Sequence, residues 1–273
     1  MSSGIKKRTG SEYSDGRPGR INYHSEDEYR TITLLVQSTA YDMQDVAHLR
    51  DSINELFDGE LMLRERRIKS VEVEYESMGQ RTGELQLGSP EYVNGKQVKV
   101  AMANSPEIDD TALVSTFTVE FETTESPYFE TIYTTLELHD TGYSATAEKY
   151  GLVDNIDDEK VKYRFTGSNF TVYNAGNVTI EPESMGIVIQ ITSATSSGNL
   201  SLKNITTGEE FKLNKEITNR NISLNGMNVR DGTINAFRDS NRRFISLAPG
   251  DNQFEITGAT FSEVWFSFKY YYK

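Results

Sequence analysis

The second half of the sequence alternates apolar and polar residues with a period of two, and this pattern constrains the fold more than any other feature. Apolar residues paired at i and i+2 recur throughout 161–273, as at Leu200 and Leu202 or Phe254 and Ile256. Turn sequences rich in Asn, Gly and Pro separate these runs. A period of two places one set of side chains on a single face of a strand. We therefore predict about ten short strands that close over one core as a jelly-roll or galectin-like β-sandwich.

The first half combines strand patterns with one helix pattern. Residues Thr31–Val36 are rich in β-branched residues, and alternation returns at Phe117–Phe121. Between these runs lies an apolar stripe at helical spacing, which Asp58-Gly59 ends. The stripe consists of Val46, Leu49, Ile53, Leu56 and Phe57. The chain is thus predicted to be mainly β, with an N-terminal α+β domain of antiparallel strands and one helix.

Two segments interrupt the regular patterns. Residues 1–20 carry Lys6, Lys7 and Arg8 among several glycines, which favours a flexible basic arm. Residues 139–160 show no sustained period and favour a linker. The predicted organisation is an arm at 1–20, a first domain at 21–138, the linker, and the sandwich at 161–273. The dipeptide Asn94-Gly95 also predicts a hairpin, because both residues accept the positive φ of a type I′ turn.

Charge and composition exclude several classes of protein. The chain of 273 residues has a formal net charge of -13, which argues against binding to nucleic acid phosphates. The absence of cysteine excludes disulfides and thiolate metal sites. We expect no membrane insertion, because no stretch approaches the roughly 20 apolar residues needed to span a bilayer. The first 20 residues lack the apolar run of a signal peptide, which favours a cytoplasm-like compartment.

The sequence does not assemble a recognisable catalytic site. Its three histidines, His24, His48 and His139, lie in separate segments, and no phosphate-binding or nucleophile motif occurs. Glu120 and Glu122 share one face of a predicted strand, where carboxylates are usually solvated. The acidic run at 154–159 lacks the spacing of a calcium-binding loop. We predict no catalytic residue, no cofactor and no metal site, and a protein that is not an enzyme.

Aromatic residues near the C-terminus leave two interpretations open. Trp265 alternates with Val264 and Phe266 in a predicted final strand, and Tyr270 and Tyr271 follow it. These rings could pack in the core or at an interface, or they could stack on sugars. The second interpretation gives the alternative function, a carbohydrate-binding adhesion module that recognises host cell-wall glycans.

Several segments, in their order along the chain, resemble the distal tail proteins of siphophages. The strand and helix over 30–57 and the segment 117–128 resemble the first domain of that family. In the second domain the resemblance lies in 172–182, in 202–208, in 247–252 and in the Tyr-rich end. No single motif is decisive, but their order is specific and covers most of the chain. The basic, Gly-rich front differs from the ordered first strand usual in the family.

The resemblance implies a structural virion protein. The family forms a hexameric ring at the distal end of the phage tail, with the first domain as the belt and the second projecting outward. Implied partners are the tail tube protein, tail-associated or tail fibre proteins, and the tape measure protein. The location is the virion tail tip, after synthesis in the host bacterial cytoplasm. Because a hairpin can extend a neighbour's sheet, Asn94 and Gly95 become candidate ring contacts.

Overall fold

The computed structural model describes residues 2–13, 20–70, 73–74, 86–87, 91–108, 111–153 and 155–273. The chain divides into two compact units. The first unit contains Met1–Leu63, Gln97–Phe129 and Lys273, and the second contains Arg64–Lys96 and Glu130–Tyr272. Each unit is described by itself.

The elements follow in chain order. Up to residue 131 they are β1 (Ser2–Tyr13), β2 (Arg20–Thr39), α1 (Asp45–Leu56), β3 (Glu60–Arg64), β4 (Arg67–Ser70), β5 (Val73–Glu74), β6 (Gln86–Leu87), β7 (Glu91–Val93), β8 (Lys96–Met102), β9 (Val114–Thr123) and β10 (Phe129–Thr131). The remainder are α2 (Thr135–Thr141), α3 (Tyr143–Tyr150), β11 (Arg164–Phe165), β12 (Asn169–Asn174), β13 (Ile187–Ser197), β14 (Leu200–Asn204), β15 (Glu210–Leu213), β16 (Glu216–Asn225), β17 (Asn228–Asp231), β18 (Ile234–Asn235), β19 (Gly250–Thr257), β20 (Glu263–Phe268) and β21 (Tyr271–Tyr272). Two single-turn 3-10 helices lie at Asp158–Lys160 and Phe237–Asp239.

The first unit is an antiparallel sheet covered by α1. Its strands run in the order β1-β2-β9-β8, and β3 also pairs with β8. On β9 the predicted alternation is present, with Phe117, Val119 and Phe121 buried between exposed neighbours. Ile53 of α1 belongs to the same core cluster. Burial of this shared apolar face drives the helix onto the sheet, because each element alone would expose it to water.

The predicted apolar stripe of α1 faces this core along most of its length. Val46 and Ile53 are buried, and Leu49 is half-buried against the cluster. Phe57 packs edge-on against an aromatic ring of β9, with 5.6 Å between the centroids. Leu56 departs from the expectation and is 65% exposed. It is the last residue of the helix, and the core contact at this end comes from Phe57 instead.

The second unit contains the predicted β-sandwich. One sheet has the order β11-β20-β13-β16-β17-β18 and the other β12-β19-β14-β15. Phe266 of the first sheet contacts Phe254 of the second edge-on at 5.0 Å, and Phe254 stacks on Phe170 at 5.5 Å. These rings fill the space between the two sheets, as in a sandwich packed face to face. The mainly-β fold class is confirmed.

Two segments differ from what their composition predicts. Ser2–Tyr13 forms β1 instead of a flexible arm, because pairing with β2 satisfies its backbone groups and leaves its charged side chains in solvent. Within 139–160, α3 replaces an irregular linker, and α2 ends there. Both helices are short and bury few residues, so the sequence shows no helical period of apolar positions there. The domain boundaries at 20, 138 and 160 stay a prediction.

Candidate assembly surfaces

Four short strands, β4 to β7, pair as two antiparallel ladders, and we call these four strands the hairpin. Arg67 pairs with Val93, and farther along Val73 pairs with Leu87. The pairing of β4 with β7 contains a register shift between Ile68 and Ser70. These pairings differ from the predicted hairpin around Asn94-Gly95, because β7 pairs with β4 and not with β8.

This hairpin is a two-stranded ribbon. Among the residues that the structure describes, β4 pairs with β7 and β5 pairs with β6, and none of the four joins another strand. A two-stranded hairpin by itself is at best marginally stable in water. Its outer edges present backbone N–H and C=O groups that another chain can pair with. The geometry therefore suits contact with a neighbouring molecule.

The base of the hairpin exposes an apolar pair. Ile68 and Tyr92 are direct cross-strand partners and are 61% and 43% exposed. The Arg66 guanidinium lies over the Tyr92 ring, 3.5 Å from its centroid. Arginine and aromatic residues are enriched in protein interfaces, where such groups provide large contact areas. These three side chains form a candidate contact, which we call the hairpin base.

Asn94 and Gly95 do not form the predicted type I′ turn. Neither residue has a positive φ, and the flanking strands β7 and β8 pair with β4 and β9 respectively. Gly95 is buried, and a Cβ on it would lie 2.5 Å from the backbone oxygen of Gly151. Its carbonyl oxygen accepts a hydrogen bond from the Ile132 N–H at 3.1 Å. The glycine thus permits close backbone packing and is itself buried, whereas Asn94 is half-buried.

A second ribbon lies at the start of the chain. β1 pairs with β2 from Ser2 opposite Thr33 to Tyr13 opposite Arg20, whereas β9 reaches β2 only over Thr31–Thr39. The part of the ribbon beyond β9 has no third strand in the described structure. Residues 6–9 and 23–26 are exposed, so both faces of this part contact solvent. Like the hairpin, it is an unsupported two-stranded element.

Two buried side chains anchor this ribbon at its base. The Arg30 guanidinium donates hydrogen bonds to the Pro127 carbonyl oxygen at 2.7 Å and to Ser3 Oγ at 2.8 Å. Asp27 accepts one from the Tyr128 hydroxyl at 2.8 Å. The ammonium group of Lys273, 2.8 Å from Asp27, lowers the pKa of that carboxyl group. The ribbon is therefore fixed where it leaves the sheet.

The C-terminal aromatic residues divide between core and surface. Tyr270 and Tyr271 are buried, and the Tyr270 hydroxyl hydrogen-bonds that of Tyr163. Burial raises the pKa of Tyr270 well above its usual value. Neither ring has an exposed face for a sugar. Trp265 is half-buried on the opposite face of β20 from Phe266, and its role as a glycan or interface residue stays a prediction.

The described residues offer no alternative chemistry of the kinds considered from the sequence. They contain no group of three or more His, Asp or Glu side chains that could hold a metal ion. Glu120 and Glu122 are exposed on the outer face of β9, as their alternation predicts. No helix in the described part of the chain has the length and apolar character needed to cross a membrane.

Comparison with known proteins identifies the fold. The sequence matches no protein-family model and no curated protein. In structure it aligns with the Dit protein (gp 19.1) of SPP1 at a TM-score of 0.57 and 10% identity, covering 97% of this chain and 89% of that one. Chains in two structures of the phage P2 baseplate in its activated conformation align at 12% identity with TM-scores of 0.38 and 0.37, too low to establish a shared fold by themselves. The chain therefore has the fold of a phage tail hub protein, which confirms at the level of the fold its resemblance to siphophage distal tail proteins.

Proposed function

We propose that this protein is a structural subunit of the ring-shaped hub at the distal end of a long-tailed phage tail. The observation that carries the proposal is the fold shared over nearly the whole chain with SPP1 Dit. That protein is described as a paradigm of the hub adsorption apparatus in phages that infect Gram-positive bacteria. The protein would act by contacts alone, without catalysis.

The two ribbons support a ring as the form of assembly. A closed ring requires a head-to-tail interface, in which one surface of a subunit meets a different surface of the next. A hairpin with unpaired edges and an exposed apolar base provides one such surface. We assign this role to the four hairpin strands, which belong to the second compact unit, in place of Asn94 and Gly95. The sandwich at 161–273 buries its own core and has no need of the ring for stability.

The proposed hub joins different parts of the virion. One face of the ring would meet the tail tube protein, and the other would meet tail-associated or tail fibre proteins and the tape measure protein. The net charge of -13 suits contacts with proteins better than contacts with nucleic acid. The protein would be located in the virion tail tip after synthesis in the host cytoplasm.

The hairpin base offers a specific test. Replacing the exposed Ile68 and Tyr92 by Asp should weaken self-association, because it places charge in an interface that is otherwise apolar. A matched control is Ile205→Asp, since Ile205 is similarly exposed but lies in the sandwich domain. Sedimentation velocity over a range of concentrations should show smaller species for the hairpin variants only. Equal sedimentation of the Ile68→Asp, Tyr92→Asp and Ile205→Asp variants would contradict the assigned contact.

The carbohydrate-binding alternative now rests on Trp265 alone. Its indole is partly exposed on the outer face of β20, whereas Tyr270 and Tyr271 are buried. A glycan pull-down with the unchanged chain and with Trp265→Ala separates the two functions. Binding to host cell-wall glycans that disappears with Trp265→Ala, in a chain that stays monomeric, would favour the alternative.

A further inference from the structure

Four arginines of the sandwich are exposed and form no ion pair among the described residues. They are Arg230, Arg238, Arg242 and Arg243. Their guanidinium groups also make no hydrogen bond within the described residues. Acidic residues outnumber basic ones by 41 to 28 in this chain, so counter-charges are plentiful elsewhere. On the neighbouring β16, for instance, Arg220 pairs with Asp231. We call these four residues the arginine patch.

The loop that carries three of them is firmly held. Asn241 lies between Ser240 and Arg242, and its Oδ1 accepts a hydrogen bond from the Lys212 N–H at 3.0 Å. Its Nδ2 donates a hydrogen bond to the Glu210 carbonyl oxygen at 2.8 Å, and its backbone N–H donates one to the Lys212 carbonyl oxygen at 3.0 Å. These three bonds fix the loop to β15. The arginines on either side of Asn241 therefore extend from a preorganised backbone, which reduces the entropy lost on binding.

Arg242 adopts a backbone conformation that arginine seldom takes. Its φ is +58°, in the left-handed region that favours Gly and Asn. A non-Gly residue held there is strained, and such strain concentrates at functional sites. The Arg242 guanidinium lies 5.9 Å from the centroid of Phe237, and that ring stacks on Phe244. The conformation presents the charge beside an aromatic surface.

A cleft of about 510 Å³ adjoins the patch. Its lining comprises Met227, Asn228, Asn235, Phe237 and Arg238. Met227 is 47% exposed, so the cleft offers an apolar contact with amide groups beside it. β18, which contributes Asn235, is the last strand in the order of its sheet. An apolar centre with arginines around it is the composition of a protein interface, and an edge strand can accept an extended segment.

We propose that the arginine patch and its cleft dock an acidic, extended segment of another protein of the tail tip. Carboxylates would bind the guanidinium groups, which suit them through paired N–H donors. An apolar side chain of the segment would enter the cleft beside Met227. This apolar contact and the strand edge favour a peptide over a phosphate polymer, which needs neither. The inference goes beyond the ring and rests on the proposed function only for placing the partner in the same assembly.

Fluorescence anisotropy with the purified full chain tests this docking. The probe is a labelled glutamate-rich peptide with one central leucine. The triple variant Arg238→Gln, Arg242→Gln and Arg243→Gln should bind it at least about tenfold more weakly, because three charge-assisted contacts are lost. The control, Lys149→Gln with Lys160→Gln and Lys162→Gln, removes the same charge from exposed positions outside the patch and should leave binding unchanged.

Two further measurements separate the possible outcomes. Met227→Ser should weaken binding of the leucine peptide but not of an all-glutamate peptide. Absence of binding, equal binding to the triple variant, or tight binding only to a glycerol phosphate oligomer would overturn the proposal. Sedimentation of the triple variant should match that of the unchanged chain. Intact self-association without Arg-dependent peptide binding would contradict the docking site alone, whereas Arg-dependent binding by a strictly monomeric chain would contradict the ring alone.

Discussion

Substitution of Ile53 by Ala tests how α1 is attached to the first sheet. Ile53 is only 8% exposed and belongs to one cluster with Val98, Phe117 and Val119. Truncation removes three carbon atoms, which at about 0.8 kcal/mol each accounts for roughly 2.4 kcal/mol of transfer free energy. The cavity left behind increases this, so we expect a loss of about 3 kcal/mol in the free energy of unfolding.

Leu56→Ala is the matched control. Leu56 belongs to the same helix but is 65% exposed, so its truncation should change stability by no more than about 0.5 kcal/mol. Urea unfolding followed by far-UV circular dichroism measures the loss. The single tryptophan, Trp265, lies in the sandwich, and its fluorescence reports the second unit separately. A loss below about 1 kcal/mol for Ile53→Ala, or equal losses for both variants, would refute the packing of α1 described above.

Three other perturbations follow from the structure. Burial alone would raise the pKa of Asp231, but the hydrogen bond and charge of Arg220, with a neighbouring lysine, outweigh it and lower that pKa below the usual value. The stability that Asp231 contributes is therefore present above its unfolded pKa and is lost as pH falls through its folded pKa. Asp231→Asn should destabilise the chain at neutral pH and less so in acid, and a constant difference in thermal melts across pH would contradict this linkage. Gly95→Ala should destabilise the chain by at least about 1 kcal/mol, because its Cβ meets a backbone oxygen at 2.5 Å. Gly186→Ala should not destabilise the chain, because a Cβ at this position would meet only open space. Equal urea midpoints for the two glycine variants would refute this difference. Phe254→Ala should reduce sandwich stability by about 3–5 kcal/mol in tryptophan-monitored unfolding, and a loss under about 1 kcal/mol would mean that its ring is not between the sheets.

The sandwich could be predicted because its pattern is local. Leu202 and Ile256, chosen from alternation alone, are buried on facing positions of paired strands. A period of two reports directly which side chains share a face, so the prediction needs no knowledge of the partner strand. The helical spacing of apolar residues likewise predicted α1 and most of the residues that it buries.

Features that depend on distant partners escaped prediction. The residues around Gly95 do not indicate whether it forms a turn or packs against the backbone of Gly151, as it does in the structure. β1 resembles a flexible arm until its pairing with β2 is known. The arginine patch likewise arises from side chains on β17 and on a loop fixed to β15. Gly95 and the arginine patch depend on contacts between residues far apart in the chain, where composition and period carry no information, whereas β1 pairs with the strand that follows it, which its basic, Gly-rich composition does not reveal.

The central claim is that this chain closes into a ring. Electron micrographs of the purified full-length protein, taken over a range of concentrations, measure this directly. The account predicts closed rings of one size, with hexameric symmetry, whose fraction increases with concentration as mass action requires. Monomers at every concentration, alone and when mixed with the tail tube protein, would contradict it.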